Sequence, residues 1–178
     1  MNAEDYLKHW DKNQVWTHYS WPKHKKRFQT IAVRLDGKSC IDIGCGFGHS
    51  TRILSRCYHA RWAGVEFLFG AIERARRLFP GLEFIHAPDY DLLTACGGRK
   101  FDSVVCSEVI EHIEDDRAFV EQLMKITGTK LVVTTPNRFV DDPGHLRVYT
   151  GEMFEDLFEG FKFTVKSIGG YYYIEVRP

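Results

Sequence analysis

Apolar residues along this chain fall into short aliphatic, β-branched and aromatic runs separated by amphipathic stretches of helical period. Strand-type runs lie near 38–43, 61–66, 82–86, 101–107, 129–135, 161–168 and 171–177, and helix-type stretches near 49–57, 69–79, 114–126 and 150–158. Alternation of the two up to about residue 135 predicts a parallel sheet joined by right-handed crossovers. The last two runs are separated only by Gly169-Gly170, a hairpin signal, so they are expected to pair antiparallel. The fold expected is α/β: a doubly wound, seven-stranded, mostly parallel sheet that ends in an antiparallel hairpin. No internal repeat, low-complexity tract or long linker divides the chain, so residues 1–178 are read as a single domain.

Composition narrows this picture. With 178 residues, 44% of them hydrophobic, the chain can bury one sizeable core but not two. Twenty-four basic and 24 acidic residues give zero net charge, which argues against a broadly electropositive nucleic-acid surface while leaving recognition of an RNA end open. No apolar run approaches the roughly 20 residues that span a bilayer. Met1-Asn2-Ala3-Glu4-Asp5 is too polar for a signal peptide. A soluble, cytoplasmic protein with no membrane partner is the expectation; oligomeric state is left open. The five cysteines, at 40, 45, 57, 96 and 106, contain no C-x-x-C pair and read as reduced thiols, several of them small hydrophobes in or beside strands. A cysteine-based zinc site is not expected.

The first candidate for chemistry is Cys40-Ile41-Asp42-Ile43-Gly44-Cys45-Gly46-Phe47-Gly48, a strand that runs into a turn with glycine at every second position. Glycine tolerates positive φ and carries no Cβ, so a ligand can lie against bare backbone, facing the free N–H groups of the helix that follows. The dinucleotide fingerprint needs a third glycine three residues after the second, but position 49 is His. Some twenty residues on, Arg61-Trp62-Ala63-Gly64-Val65-Glu66 reads as a second strand ending in a carboxylate, at the offset where a ribose diol finds a paired acceptor.

The D-x-G-x-G-x-G turn followed by that acid resembles the first motifs of the class I S-adenosylmethionine (SAM) dependent methyltransferases, over about residues 36–178. The resemblance implies a Rossmann-like fold with SAM as cofactor. It also implies a cofactor set of Asp42, Gly44, Cys45, Gly46, Gly48, Glu66, Phe67, Asp89, Tyr90 and Ser107. Asp89 and Tyr90 follow the third strand where the family binds the adenine amino group; a Pro-Asp turn with a solvated acid is the competing reading for Asp89. Residues 1–35 are then an N-terminal extension, carrying Tyr6, Leu7, Trp10, Trp16, Tyr19 and Trp21 and the basic run Lys23-His24-Lys25-Lys26-Arg27. In such families an extension of this kind forms a helical lid. The alternative is that the aromatics pack on the sheet and the basic run is a solvated helix face.

The second candidate follows the strand at 101–107, where Glu108 is succeeded by Glu111 and His112 at i+3 and i+4. If the chain turns helical at Glu108, all three side chains share one face. Both this segment and the loop that carries His145 leave the carboxyl edge of the sheet, where open α/β folds bind ligands. Read plainly, the acids Glu111, Glu114, Asp115 and Asp116 suit a helix start. His112 is then a structural residue or a general base, and His145 fastens a loop before a helix capped by Thr150. The E-x-x-E-H pattern with a later His also resembles a metal-using subset of these methyltransferases. That subset includes the small-RNA 3′-terminal 2′-O-methyltransferases and the ubiquinone-pathway O-methyltransferases. It implies Glu108, Glu111, His112 and His145 as metal ligands, with Glu108, His112 and His145 in catalytic roles. Two carboxylates and two imidazoles suit Mn²⁺, Fe²⁺, Co²⁺ or Zn²⁺ better than Mg²⁺, and leave positions for a vicinal diol or catechol.

No N-P-P-Y-type tetrapeptide, common among methyltransferases of planar nitrogen, follows the fourth strand, so oxygen is the expected acceptor atom. Thr135-Pro136-Asn137 and Arg138 would line the acceptor side, and Arg138 or Arg147 would either hold an anionic substrate or be surface charges. The leading expectation is a SAM-dependent O-methyltransferase acting on a small molecule, with a divalent metal such as Mn²⁺ as a possible helper. An RNA 3′-terminal 2′-O-methyltransferase and a non-catalytic SAM-binding protein are the alternatives. A nicotinamide oxidoreductase is disfavoured by the glycine spacing.

Overall fold

The computed structural model describes Lys8 and residues 22–142 and 144–178. The aromatic stretch from Tyr6 to Trp21 therefore lies outside the described residues, and with it the expectation of a lid there. Helix α1 (Pro22–Ala32) leads to β1 (Ser39–Ile43), α2 (His49–Cys57), β2 (Arg61–Glu66), α3 (Phe69–Leu78), β3 (Glu83–His86) and the short α4 (Leu92–Ala95). Then come β4 (Phe101–Ser107), a single 3₁₀ turn (Ile110–His112), α5 (Asp116–Ile126), β5 (Thr127–Pro136), α6 (Gly151–Leu157), β6 (Lys162–Ile168) and β7 (Tyr171–Arg177). The seven strands form one sheet in the order β3-β2-β1-β4-β5-β7-β6. The first five pair in parallel and β7 runs antiparallel to both β5 and β6, as the hairpin signal required. Gly169 and Gly170 take φ 60° and 93°, which matches the twist of a two-residue hairpin loop and which only glycine adopts cheaply at both positions.

Strand alternation sorts the core into two layers. Ile41, Ile43, Val104, Cys106, Leu131 and Val133 point to the face covered by Leu92 of α4, Phe119 and Leu123 of α5, and Phe154 of α6. Cys40, Val105, Val132 and Tyr173 point to the other, where Phe28 and Ile31 of α1 and Leu54 of α2 cover them. Helix α1, at the end of the extension expected to be helical, is thus part of the packed structure: Arg27 and Phe28 are buried while Lys25 and Lys26 face out. Cys40, Cys45, Cys96 and Cys106 are buried thiols, Cys57 is exposed, and all five are unpaired. Among the described residues no helix is long and apolar enough to cross a membrane.

Candidate active site

The glycine turn is built by dividing its residues between two tasks. Gly44, Gly46 and Gly48 all take positive φ (74°, 52° and 82°). The residues between them anchor the turn: Cys45 packs with Ile72 and Ala75 of α3 and with Phe84, and Phe47 packs with Leu68 and Ala71. A Cβ on Gly44 would stand 2.4 Å from Val109, and one on Gly48 2.6 Å from Phe84, so neither position has room for a side chain. Asp42, buried at the end of β1, ties the turn to the next helix, its Oδ2 accepting hydrogen bonds from the hydroxyls of Ser50 (2.6 Å) and Thr51 (2.7 Å). Burial outweighs those hydrogen bonds and Arg27's charge, and pushes the Asp42 carboxyl up to about 6.

Glu66 sits beneath the turn, where its Oε2 accepts the Gly46 N–H (3.0 Å) and its Oε1 those of Phe67 (3.0 Å) and Leu68 (3.1 Å). The carboxylate is 2% exposed and burial raises its pKa despite these three donors. In this state it braces the backbone of the glycine turn and of the residues after β2. Tyr90, in the left-handed region at φ 56°, packs its ring between Phe67 (5.5 Å) and Phe119 (5.1 Å). With the exposed Asp89 it lines a cavity of about 310 Å³, together with Ile113, Ala118, Phe119 and Gln122. Ser107 bonds its hydroxyl to that of Thr134 (2.8 Å) at the end of β4.

The expectation of one helical face carrying Glu108, Glu111 and His112 is corrected. Glu108 takes φ 59°, which breaks the chain out of β4 before any helix begins, and only the three-residue turn Ile110–His112 follows; α5 starts at Asp116, capped by Asp115. Glu108 faces Arg27 of α1 (Nη1–Oε2 3.1 Å) and accepts from the Thr134 hydroxyl (3.3 Å). The four-residue ligand set is therefore not assembled. Among the described residues Glu111, His112 and His145 do converge, with one ligand atom of each within 4.8 Å of the others.

Loop 137–149 brings His145 there because it is stitched to the 3₁₀ turn. Leu146 N–H donates to the Glu111 carbonyl (2.9 Å), and His112 Nδ1 lies 2.9 Å from the Gly144 carbonyl. A carbonyl only accepts, so Nδ1 carries the proton and, in the neutral ring, Nε2 keeps its lone pair for a ligand. Burial and the charge of His145 lower the His112 pKa and favour that neutral form. The two rings meet edge to face at 4.7 Å. Glu111 is 1% exposed, and among the described residues neither of its carboxylate oxygens has a hydrogen-bond partner within bonding geometry. Burial, then the charge of Glu108, push its pKa well up; the nearby Thr135 hydroxyl, its own N–H and Arg27 offset only part.

Of the two arginines offered for an anionic substrate, Arg147 is engaged within the protein and Arg138 is exposed. Arg147 is engaged by the Asp116 carboxylate and donates to the Glu114 carbonyl (2.8 Å), while Asp116 also accepts the Tyr149 hydroxyl (2.7 Å). Arg138 lies over the Gly169-Gly170 turn, its guanidinium 3.3 Å from where a Gly170 Cβ would be. Thr150 caps α6 as expected, accepting from Met153 N–H. Among the described residues, Arg27 is one that the sequence pattern did not single out for the site. Its only sequence signal was its place at the end of a basic run that heads into the buried Phe28.

A left-handed glycine turn after β1, an acid at the end of β2 and a cavity beside β3, all at the carboxyl edge of a doubly wound sheet, define a nucleoside-cofactor-binding α/β domain. A family model for a methyltransferase domain matches residues 14–168, and the chain belongs to that family, the SAM-dependent class I methyltransferases. A ubiquinone biosynthesis O-methyltransferase of Psychrobacter arcticus is 33% identical over 140 residues, covering 72% of this chain and 51% of its own. The chain spans roughly half the length of the curated relatives it matches. Magnesium protoporphyrin IX methyltransferase of Synechocystis PCC 6803, solved with bound SAM, superposes with TM-score 0.68 at 16% identity, over all of this chain and 98% of that one. The methyltransferase domain of bacterial CtHen1 superposes with TM-score 0.72 at 19% identity, over 87% and 98%. At these identities the two structures establish the shared fold.

Proposed function

We propose that the protein transfers a methyl group from SAM to an oxygen of a small-molecule acceptor, held by a divalent ion at Glu111, His112 and His145. The observation that carries the reading is Glu111. A buried carboxyl with no hydrogen-bond partner among the described residues, facing two imidazoles, is costly to ionise unless something positive joins it. Its donor set, one carboxylate oxygen and two imidazole nitrogens, suits Mn²⁺ or a similar ion. Such an ion would supply Lewis acidity that lowers the pKa of an acceptor hydroxyl and fixes its direction.

The rest of the chemistry falls to the chain. Methyl transfer is an in-line displacement in which an O–C bond forms as the S–C bond breaks, so alignment contributes most. The glycine turn and Glu66 would orient the nucleoside, and the cavity lined by Asp89 and Tyr90 its adenine. The 3₁₀ turn and loop 137–149 would present the acceptor oxygen from the opposite side. The Glu108 carboxylate lies at hand for the hydroxyl proton, whereas the Nε2 lone pair of His112 would be taken up by the ion. A vicinal diol chelates most naturally, and both a catechol and the 3′-terminal ribose of an RNA offer one; zero net charge supports the small acceptor. The test is S-adenosylhomocysteine formation with catechols and with an RNA oligonucleotide, after chelation and after Mn²⁺ return. Turnover of a catechol that needs Mn²⁺ is the expected result. Metal-independent turnover would remove the ion from the reading, and turnover of RNA alone would replace the acceptor.

A further inference from the structure

Glu108 and Glu111 leave the same strand end, yet in the structure they have different company. Glu111 faces the imidazoles, while Glu108 is held by Arg27, which reaches it from α1 across the face of the sheet. Arg27 is 4% exposed, and its guanidinium lies over the rings of Tyr171 (4.9 Å) and Phe28 (5.2 Å). Two aromatic faces and the nearby Asp42 would keep that cation accommodated if Glu108 turned away. Glu108 itself is poised at a cost: a branchless but bulky residue in the left-handed region is strained by about 1 kcal/mol or more, and strain of this kind gathers at functional sites. Its side chain is 22% exposed, so it has room to swing.

We propose that Arg27 is a latch that competes with a divalent ion for Glu108, so that ion uptake at Glu111, His112 and His145 draws Glu108 in as a fourth ligand and loosens α1. The inference rests on the metal reading given above. It makes Arg27 a positioning residue: the ion pair withholds one carboxylate from the site, and coupling runs both ways, so whatever displaces α1 strengthens ion binding and the reverse. A guanidinium and a dication both seek the same carboxylate, and the buried setting makes each claim strong.

The test is calorimetric titration of Mn²⁺ into the chelator-treated full chain, using wild type, Arg27→Gln, Glu108→Gln and the double variant. Arg27→Gln should tighten Mn²⁺ binding by about tenfold or more where Glu108 is present, and by less than about threefold in the Glu108→Gln background. Equal tightening in both backgrounds would show a through-space charge effect and overturn the latch, as would no tightening in either. Mn²⁺ uptake that His145→Ala abolishes but Arg27→Gln does not alter would leave the metal reading standing and sink the latch alone. No uptake by any variant would overturn the metal reading itself. A second readout uses wild type only and so survives a misfolded Arg27 variant: saturating Mn²⁺ should speed amide hydrogen exchange in α1. Unchanged exchange there would also overturn the proposal.

Discussion

His145 Nε2 stands 4.0 Å from Glu111 Oε1, too far for a hydrogen bond and close enough for one ion to touch both. His145 comes from a loop more than thirty residues downstream, and the Leu146 and Gly144 backbone contacts bring it to the 3₁₀ turn. Glu111→Gln and His145→Ala should each lower Mn²⁺ affinity by about tenfold to a hundredfold, with SAM affinity held within about threefold. Calorimetry and elemental analysis read this directly. Full metal content in both variants would refute the assignment.

Asp42 should contribute a loss of stability as pH rises through the mildly acidic range. Its folded pKa of about 6 lies above the ordinary 3.8, so its contribution is fully present below pH 4 and is lost as pH climbs past 6. The shift corresponds to about 3 kcal/mol at most for this buried group. Asp42→Asn keeps a carbonyl oxygen for the Ser50 and Thr51 hydroxyls and has nothing to titrate, so its urea midpoint should be flatter between pH 4 and 6. A slope identical to wild type would show that Asp42 ionises without cost.

Gly46 takes φ 52° and gives its N–H to Glu66, so a side chain at this point would strain the backbone that makes that hydrogen bond. Gly46→Val should weaken SAM binding by about tenfold or more, since a β-branched residue at positive φ costs on the order of 1–3 kcal/mol. Glu66→Gln offers a gentler check: with its Oε1 and Oε2 no longer equivalent, one brace of the turn is lost while packing is kept. Calorimetry with circular dichroism separates these losses from unfolding. Unchanged SAM affinity in both would place the cofactor elsewhere.

The sheet was legible because its signals are local. Two buried faces give β1, β4 and β5 apolar runs, and Gly169-Gly170 announces the hairpin. The glycine turn was legible for the same reason, since φ and space are properties of single positions. The cluster of Glu111, His112 and His145 was legible only in part. Spacing correctly linked Glu111 with His112, but put Glu108 on their face because i, i+3, i+4 assumes a helix. Glu108 leaves β4 in a left-handed conformation, and its side chain goes to Arg27, 81 positions upstream, a pairing no local period reveals. A helix was expected in the N-terminal extension, but the packing of α1 was not legible: its lysines and arginine mask the apolar stripe of Phe28 and Ile31, and only the sheet face they cover makes it a stripe.

Arg147 tests whether loop 137–149 is a scaffold or a substrate clamp. Its guanidinium joins Asp116 and the Glu114 carbonyl, and through Asp116 it shares Tyr149, so it fixes the loop to the start of α5. The pair is partly exposed, so solvent screening limits its worth to about 1 kcal/mol. Arg147→Ala should therefore lower stability slightly and loosen His145, weakening Mn²⁺ by about threefold to tenfold, with Arg147→Lys recovering part of both. Thermal denaturation and metal titration read the two effects. An unchanged melting temperature and unchanged Mn²⁺ affinity, with a raised KM for an anionic acceptor alone, would instead return Arg147 to the substrate.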